Sequence, residues 1–175
     1  CWSFRAAANP DWFIDRYLAQ GGPDRTETLL HDLQTANDQT DLEFKARIFE
    51  RLGRYSEAES CYKQIETEQE YVGDLVDFYL RCRDRKDDAG ATFQQRYDEL
   101  ISRCFPGGLR KVELADFSAA PSAGVLFTED NFKIRQSGMK RGTVIVALAG
   151  SRVDNLTKYY VVRQMEGANA RMEVI

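Results

Sequence analysis

At Phe105-Pro106-Gly107-Gly108 the apolar pattern of this chain changes period, and that change limits the folds open to it. A proline and two glycines do not continue a helix. Before them, apolar residues recur at helical spacing; after them they alternate or run together as strands do. The 175 residues suffice for two small domains. The expectation is a multidomain α+β protein: an all-α region over 1–105, a linker at 106–109 and a small β-rich domain over 110–175. Charge changes sign at the same place. Residues 1–105 hold 14 Lys+Arg against 21 Asp+Glu, and residues 106–175 hold 10 against 7.

In the first region, Asn9-Pro10 suits a helix start, because Asn caps orphan amides and proline lacks only a donor the first turn does not use. Trp12, Phe13, Ile14, Tyr17 and Leu18 form an apolar face, and Gly21-Gly22 are expected to stop the helix. Pro23-Asp24 then opens a second helix with Leu29, Leu30 and Leu33, ending near Asn37. Further helices are expected at about 41–52, 56–66, 70–82 and 88–104. Leu75, Phe78, Tyr79 and Cys82 share one face of the third of these, and Phe93, Tyr97, Leu100 and Cys104 one face of the last. The short turn at Leu52-Gly53-Arg54-Tyr55 sets its flanking helices antiparallel. Over 42–66, the spacing of Ala46, Phe49, Gly53, Tyr55, Ala58 and Tyr62 resembles the tetratricopeptide repeat, in which small residues let helices approach and aromatics fill the space beside them. The following helix pair lacks the turn glycine and resembles at most a degenerate repeat.

In the second region, Lys111–Phe117 alternates as a strand, and Val144-Ile145-Val146-Ala147-Leu148 is a nearly continuous apolar run, as a doubly buried strand would be. A helix is expected from Leu156 to Met165 and a strand from Arg171 to Ile175. Three pieces in this order resemble a PDZ domain. Gly124-Val125-Leu126-Phe127 is similar to its carboxylate-binding loop. The run from Ser137-Gly138 through Gly142-Thr143 to Ala149-Gly150 is similar to its glycine turn and apolar strand, and Val153-Asp154-Asn155-Leu156-Thr157 to the lead into its groove helix. The resemblance implies that the amides of Gly124, Val125 and Leu126 hold a peptide's terminal carboxylate and that Leu126 and Phe127 line the pocket beside it. It further implies that Lys158 and Val162 face the groove from the helix. Inward amides at such a loop form an anion nest, and an extended peptide adds to the strand edge. Two departures stand out: Thr143 replaces the Asp usual in bacterial relatives, and Ile175 precedes the last strand the family leads one to expect, which suggests truncation.

Other chemistries find little support. Cys1, Cys61, Cys82 and Cys104 form no CxxC pair, and the single histidine, His31, has no Cys or His neighbour, so no metal site is expected. Cys61, Cys82 and Cys104 are expected as free thiols buried in helices. No serine or cysteine has a base partner in a recognisable arrangement, and no glycine cluster has phosphate-loop spacing, so no catalytic residue and no cofactor is assigned. The basic excess of the second half is too small and too scattered for a nucleic-acid face, and no apolar run reaches the length of a membrane span. The expected function is a non-catalytic interaction, scaffold or regulatory module whose partner is a protein or peptide. The alternative is an accessory region of a larger enzyme, such as a protease with its catalytic domain elsewhere. A bacterial origin is implied by the resemblance; composition decides neither oligomeric state nor between periplasm and cytoplasm.

Overall fold

The computed structural model of the chain describes residues 10–32, 39–65, 72–85, 88–128, 139–167 and 169–175. Cys1, Asn9, Leu33, Asn37, Ser137 and Gly138, singled out above, lie outside the described residues. The helices are α1 (Pro10–Asp32), α2 (Gln39–Arg51), α3 (Tyr55–Ile65), α4 (Val72–Arg83), α5 (Asp88–Cys104) and α6 (Leu156–Glu166). The strands are β1 (Val125–Leu126), β2 (Val144–Leu148), β3 (Ser151–Arg152) and β4 (Met172–Val174). The fold is thus mixed α+β, with one small antiparallel sheet among the described residues. None of the described helices is long and apolar enough to cross a membrane.

The chain divides into two units, residues 1–67 and 68–175, rather than at the linker expected over 106–109. The physical reason is packing: α4 and α5 both pack on α6, which also packs on β2, so the last helical hairpin belongs with the sheet.

In the first unit, α2 ends in a glycine-closed turn. Gly53, at φ +73°, donates to the carbonyl of Glu50 at 3.0 Å, and Arg54 donates to that of Phe49 at 2.8 Å. This pair of bonds satisfies carbonyls that the helix end would orphan, and it needs the left-handed residue that glycine supplies. Ala46 and Ala58 are completely buried, which lets α2 and α3 close on each other, with Phe49 and Tyr62 buried beside them. The Arg54 guanidinium lies 4.6 Å from the Phe49 ring centroid while pairing with Glu27 and Glu57. α1 does not stop at Gly21-Gly22 but runs through Pro23. The helix-breaking tendency of that triplet is local, whereas Ile14 and Leu30, buried on either side of it, tie both halves of α1 into the core.

In the second unit, Phe78 is fully buried, with Tyr79 at 5.6 Å and Phe93 edge-on at 5.5 Å between ring centroids. Gly73 is buried in α4 facing α6: a Cβ there would lie 3.3 Å from Gln164 Cγ and 3.5 Å from Tyr160 Cβ. The missing side chain sets how closely the two helices approach. Cys61 and Cys82 are buried and Cys104 half-buried, all as free thiols. Burial pushes the Cys61 and Cys104 thiols up, so little of either is thiolate at neutral pH.

Truncating Phe78 to Ala is expected to cost about 3–5 kcal/mol, the usual range for removing a buried aromatic. A fall in the urea midpoint at unchanged slope would verify it; a change within about 0.5 kcal/mol would show that the aromatic cluster does not hold α4 to α5.

Candidate functional site

The site grows out of how β2 distributes its hydrogen bonds. Val125 is registered with Ile145 and Leu126 with Val144. Val144, however, gives its amide to the Ile175 carbonyl and takes the Ile175 amide on its own carbonyl, both at 2.9 Å. Its polar groups therefore face away from β1. In an antiparallel ladder the residue opposite such a position also faces away, so Leu126 turns its N–H and C=O to the outer edge of β1. The next residue confirms the phase, since Phe127 donates back to the Thr143 carbonyl at 2.8 Å. Among the described residues no strand pairs with that outer edge.

A two-residue strand needs outside support, and the chain before it provides this. The strand expected over Lys111–Phe117 is absent apart from a single bridge of Lys111 to Ser151; Leu114–Phe117 forms a 3₁₀ turn instead. The cause is Asp116, which accepts the Glu113 amide at 2.9 Å and is ion-paired with Arg152 of β3 and with Arg110. Asp116 and Arg152 are both buried. Arg152 also donates to the Ala123 carbonyl at 3.0 Å, immediately before Gly124. One buried guanidinium thus ties the turn to the start of β1. The Asp116 carboxyl is held below the usual carboxylate range, first by the Glu113 amide; burial opposes this, and the charges of Arg152 and Arg110 add to it. Gly124 lies where a Cβ would stand 2.6 Å from Val144 Cγ1 and 3.0 Å from the Ile145 carbonyl oxygen, so glycine is required by close approach. On the far side of the loop, the Thr143 hydroxyl accepts the Lys140 amide at 3.2 Å and braces the Gly142 turn.

Between β1 and α6 lies a cavity of about 550 Å³. Val125, Leu126, Phe127 and Thr128 line one side, and Leu156, Tyr159, Tyr160 and Arg163 the other. The volume is in the range that binds small molecules or a short run of side chains. Leu126 is 59% exposed, Leu156 41% and Met172, also in the lining, 37%, so apolar surface is left facing water here.

Of the site residues expected from sequence, Val125, Leu126 and Phe127 come together in this lining, and Gly124 sits just before them against β2. Lys158 and Val162 do not. The helix is capped by Asn155, whose side chain accepts the Lys158 amide at 2.9 Å. With that start, residues 156, 159, 160 and 163 share the cavity face, and 158 and 162 lie on the opposite one. Lys158 pairs with Asp154 at 2.9 Å and stands 5.7 Å from the Phe105 ring, while Val162 is buried. Tyr159, Tyr160 and Arg163 are the residues that sequence reasoning missed; their i, i+1, i+4 spacing was visible, but the phase depended on the cap.

A smaller cavity of about 280 Å³ in the first unit is lined by Glu27, Leu30, His31, Lys45, Phe49 and Arg54. It contains no serine or cysteine beside His31, which is exposed. No family model, curated protein or solved structure matches the chain.

Two outcomes follow for the loop. Gly124→Val is expected to destabilise the second unit by about 1–3 kcal/mol, as overpacking does, and to raise amide exchange at Val144 and Ile145. Because the Asp116 carboxyl titrates lower in the folded state, its contribution is present at neutral pH and is lost as pH falls through and below about 4, the unfolded carboxylate value. Exchange protection over 123–127, corrected for intrinsic rates, should therefore fall in that window, and Asp116→Asn should lack both the protection and its acid dependence.

Proposed function

We propose that the second unit is a PDZ-like module that receives an extended peptide in the groove between β1 and α6, and that the chain serves as a non-catalytic interaction or scaffold module. The observation that carries this reading is the outward-facing amide and carbonyl of Leu126, which open on an apolar cavity. An added strand gains backbone hydrogen bonds from that edge, and its alternate side chains reach the cavity. The fixing by Arg152 of the turn that ends at Gly124 supports a role for this turn in holding the end of such a peptide. The α2–α3 hairpin, with its buried Ala46 and Ala58 and its Gly53 turn, supports a tetratricopeptide-like reading of the first unit as a second docking element.

Titration of labelled peptides, each made with a free and an amidated C-terminus, tests the groove. Leu126→Pro, at a position where edge strands tolerate proline, removes the outward donor together with the Leu126 side chain of the lining, and Tyr159→Ala removes part of the helix wall. Each is expected to weaken binding at least about tenfold, roughly 1.4 kcal/mol or more. Wild-type affinity in both variants would overturn strand addition. Indifference to amidation would move the site from peptide ends to internal extended segments.

A further inference from the structure

Arg163 is the one charged residue among the described residues that line the larger cavity. It is exposed, and among the described residues its guanidinium pairs with no carboxylate. Three other cations of the second unit are ion-paired: Lys158 with Asp154, Arg152 with Asp116 and Arg171 with Glu173. Apart from Thr128, the remaining described lining is apolar or aromatic, with Tyr159 and Tyr160 edge-to-face at 5.3 Å between centroids. Among the described residues no acidic side chain lines the cavity to repel an anion, and the electrostatic complement of Arg163 is a carboxylate.

We infer that Arg163 sets the specificity of this groove for an extended peptide bearing an Asp or Glu side chain directed at α6. The inference rests on the strand-addition reading above. In that geometry the peptide backbone is held by Leu126 on the β1 side, and every second side chain projects across the cavity toward the helix. A cation on α6 therefore meets a side chain, not the peptide's backbone. Arg presents a planar fork of donors that fits a carboxylate through two parallel hydrogen bonds, which a lysine does not reproduce. The residue expected from sequence to select acidic ligands, Lys158, is turned away and neutralised. Arg163 holds that role from one helical turn further on.

The probes are short labelled peptides of alternating Val and Thr, carrying one Glu, Gln or Lys at each position in turn, with free and amidated ends made separately. Wild-type protein should bind the best Glu peptide about three- to fivefold more tightly than its Gln counterpart, the size expected for a solvent-exposed ion pair, and added salt should shrink the difference. Arg163→Gln should erase the difference, bringing the Glu and Gln peptides to equal affinity, and Arg163→Glu should shift preference to Lys. The same pattern must appear with amidated ends, which excludes the terminal carboxylate as its source. Equal binding of Glu and Gln peptides, or a preference that survives in Arg163→Gln, overturns the role of Arg163 and leaves strand addition standing. Failure of every peptide to bind the folded wild-type protein overturns strand addition, and this inference with it.

Discussion

Every strand described in the second unit pairs through β2, and a strand has only two edges. One edge is shared by β1 at Val144–Ile145 and β3 at Ala147–Leu148; the other is taken by β4. Five residues serving three partners leave each partner short. This division also fixes the direction of every amide. Since Val144 is spent on Ile175, Leu126 has nothing to bond on the β2 side. The unpaired edge is thus a consequence of ladder geometry and not of a loosely held strand. Among the described residues this edge stays open beside an apolar hollow, an arrangement that natural proteins elsewhere cover or blunt.

The short strand is held by groups outside the ladder. Arg152 belongs to β3 yet reaches both the 3₁₀ turn, through Asp116, and the loop before β1, through the Ala123 carbonyl. Two buried opposite charges are costly to desolvate and are retained where geometry matters more than stability. Their placement immediately behind Gly124 fits that account. The groove therefore has one wall fixed by hydrogen bonds to a buried guanidinium and another formed by a helix packed on its far side.

Much of this architecture was legible in the sequence. Gly53 marked the α2–α3 turn because only a left-handed residue closes that helix end, and α5 was readable to its bounds from the spacing of Phe93, Tyr97 and Leu100. The apolar run 144–148 announced the central strand. Three things were hidden, each for a physical reason. The change of period at Pro106 reports a change of secondary structure, whereas unit boundaries follow packing, and α4 and α5 pack on α6. The alternation in 111–117 was real but was overruled by Asp116, whose partner Arg152 lies far away in sequence. The phase of α6 came from the resemblance, which turned Lys158 and Val162 toward the groove. Apolar side chains surround that helix, Val161 and Val162 behind and Leu156, Tyr159 and Tyr160 in front, so periodicity gave no independent check. Val125, Leu126 and Phe127, expected from the resemblance of Gly124–Phe127 to a carboxylate-binding loop, line the cavity.

α6 is flanked by the cavity on one side and by Gly73 of α4 on the other, close against Tyr160 and Gln164. Tyr160 takes part in both surroundings. The width of the groove is thereby adjustable from a residue that no ligand could touch. A larger residue at position 73 would press on α6 and change the width of the cavity, leaving every lining residue as it was. In this molecule, cavity wall and framework meet in the same helix.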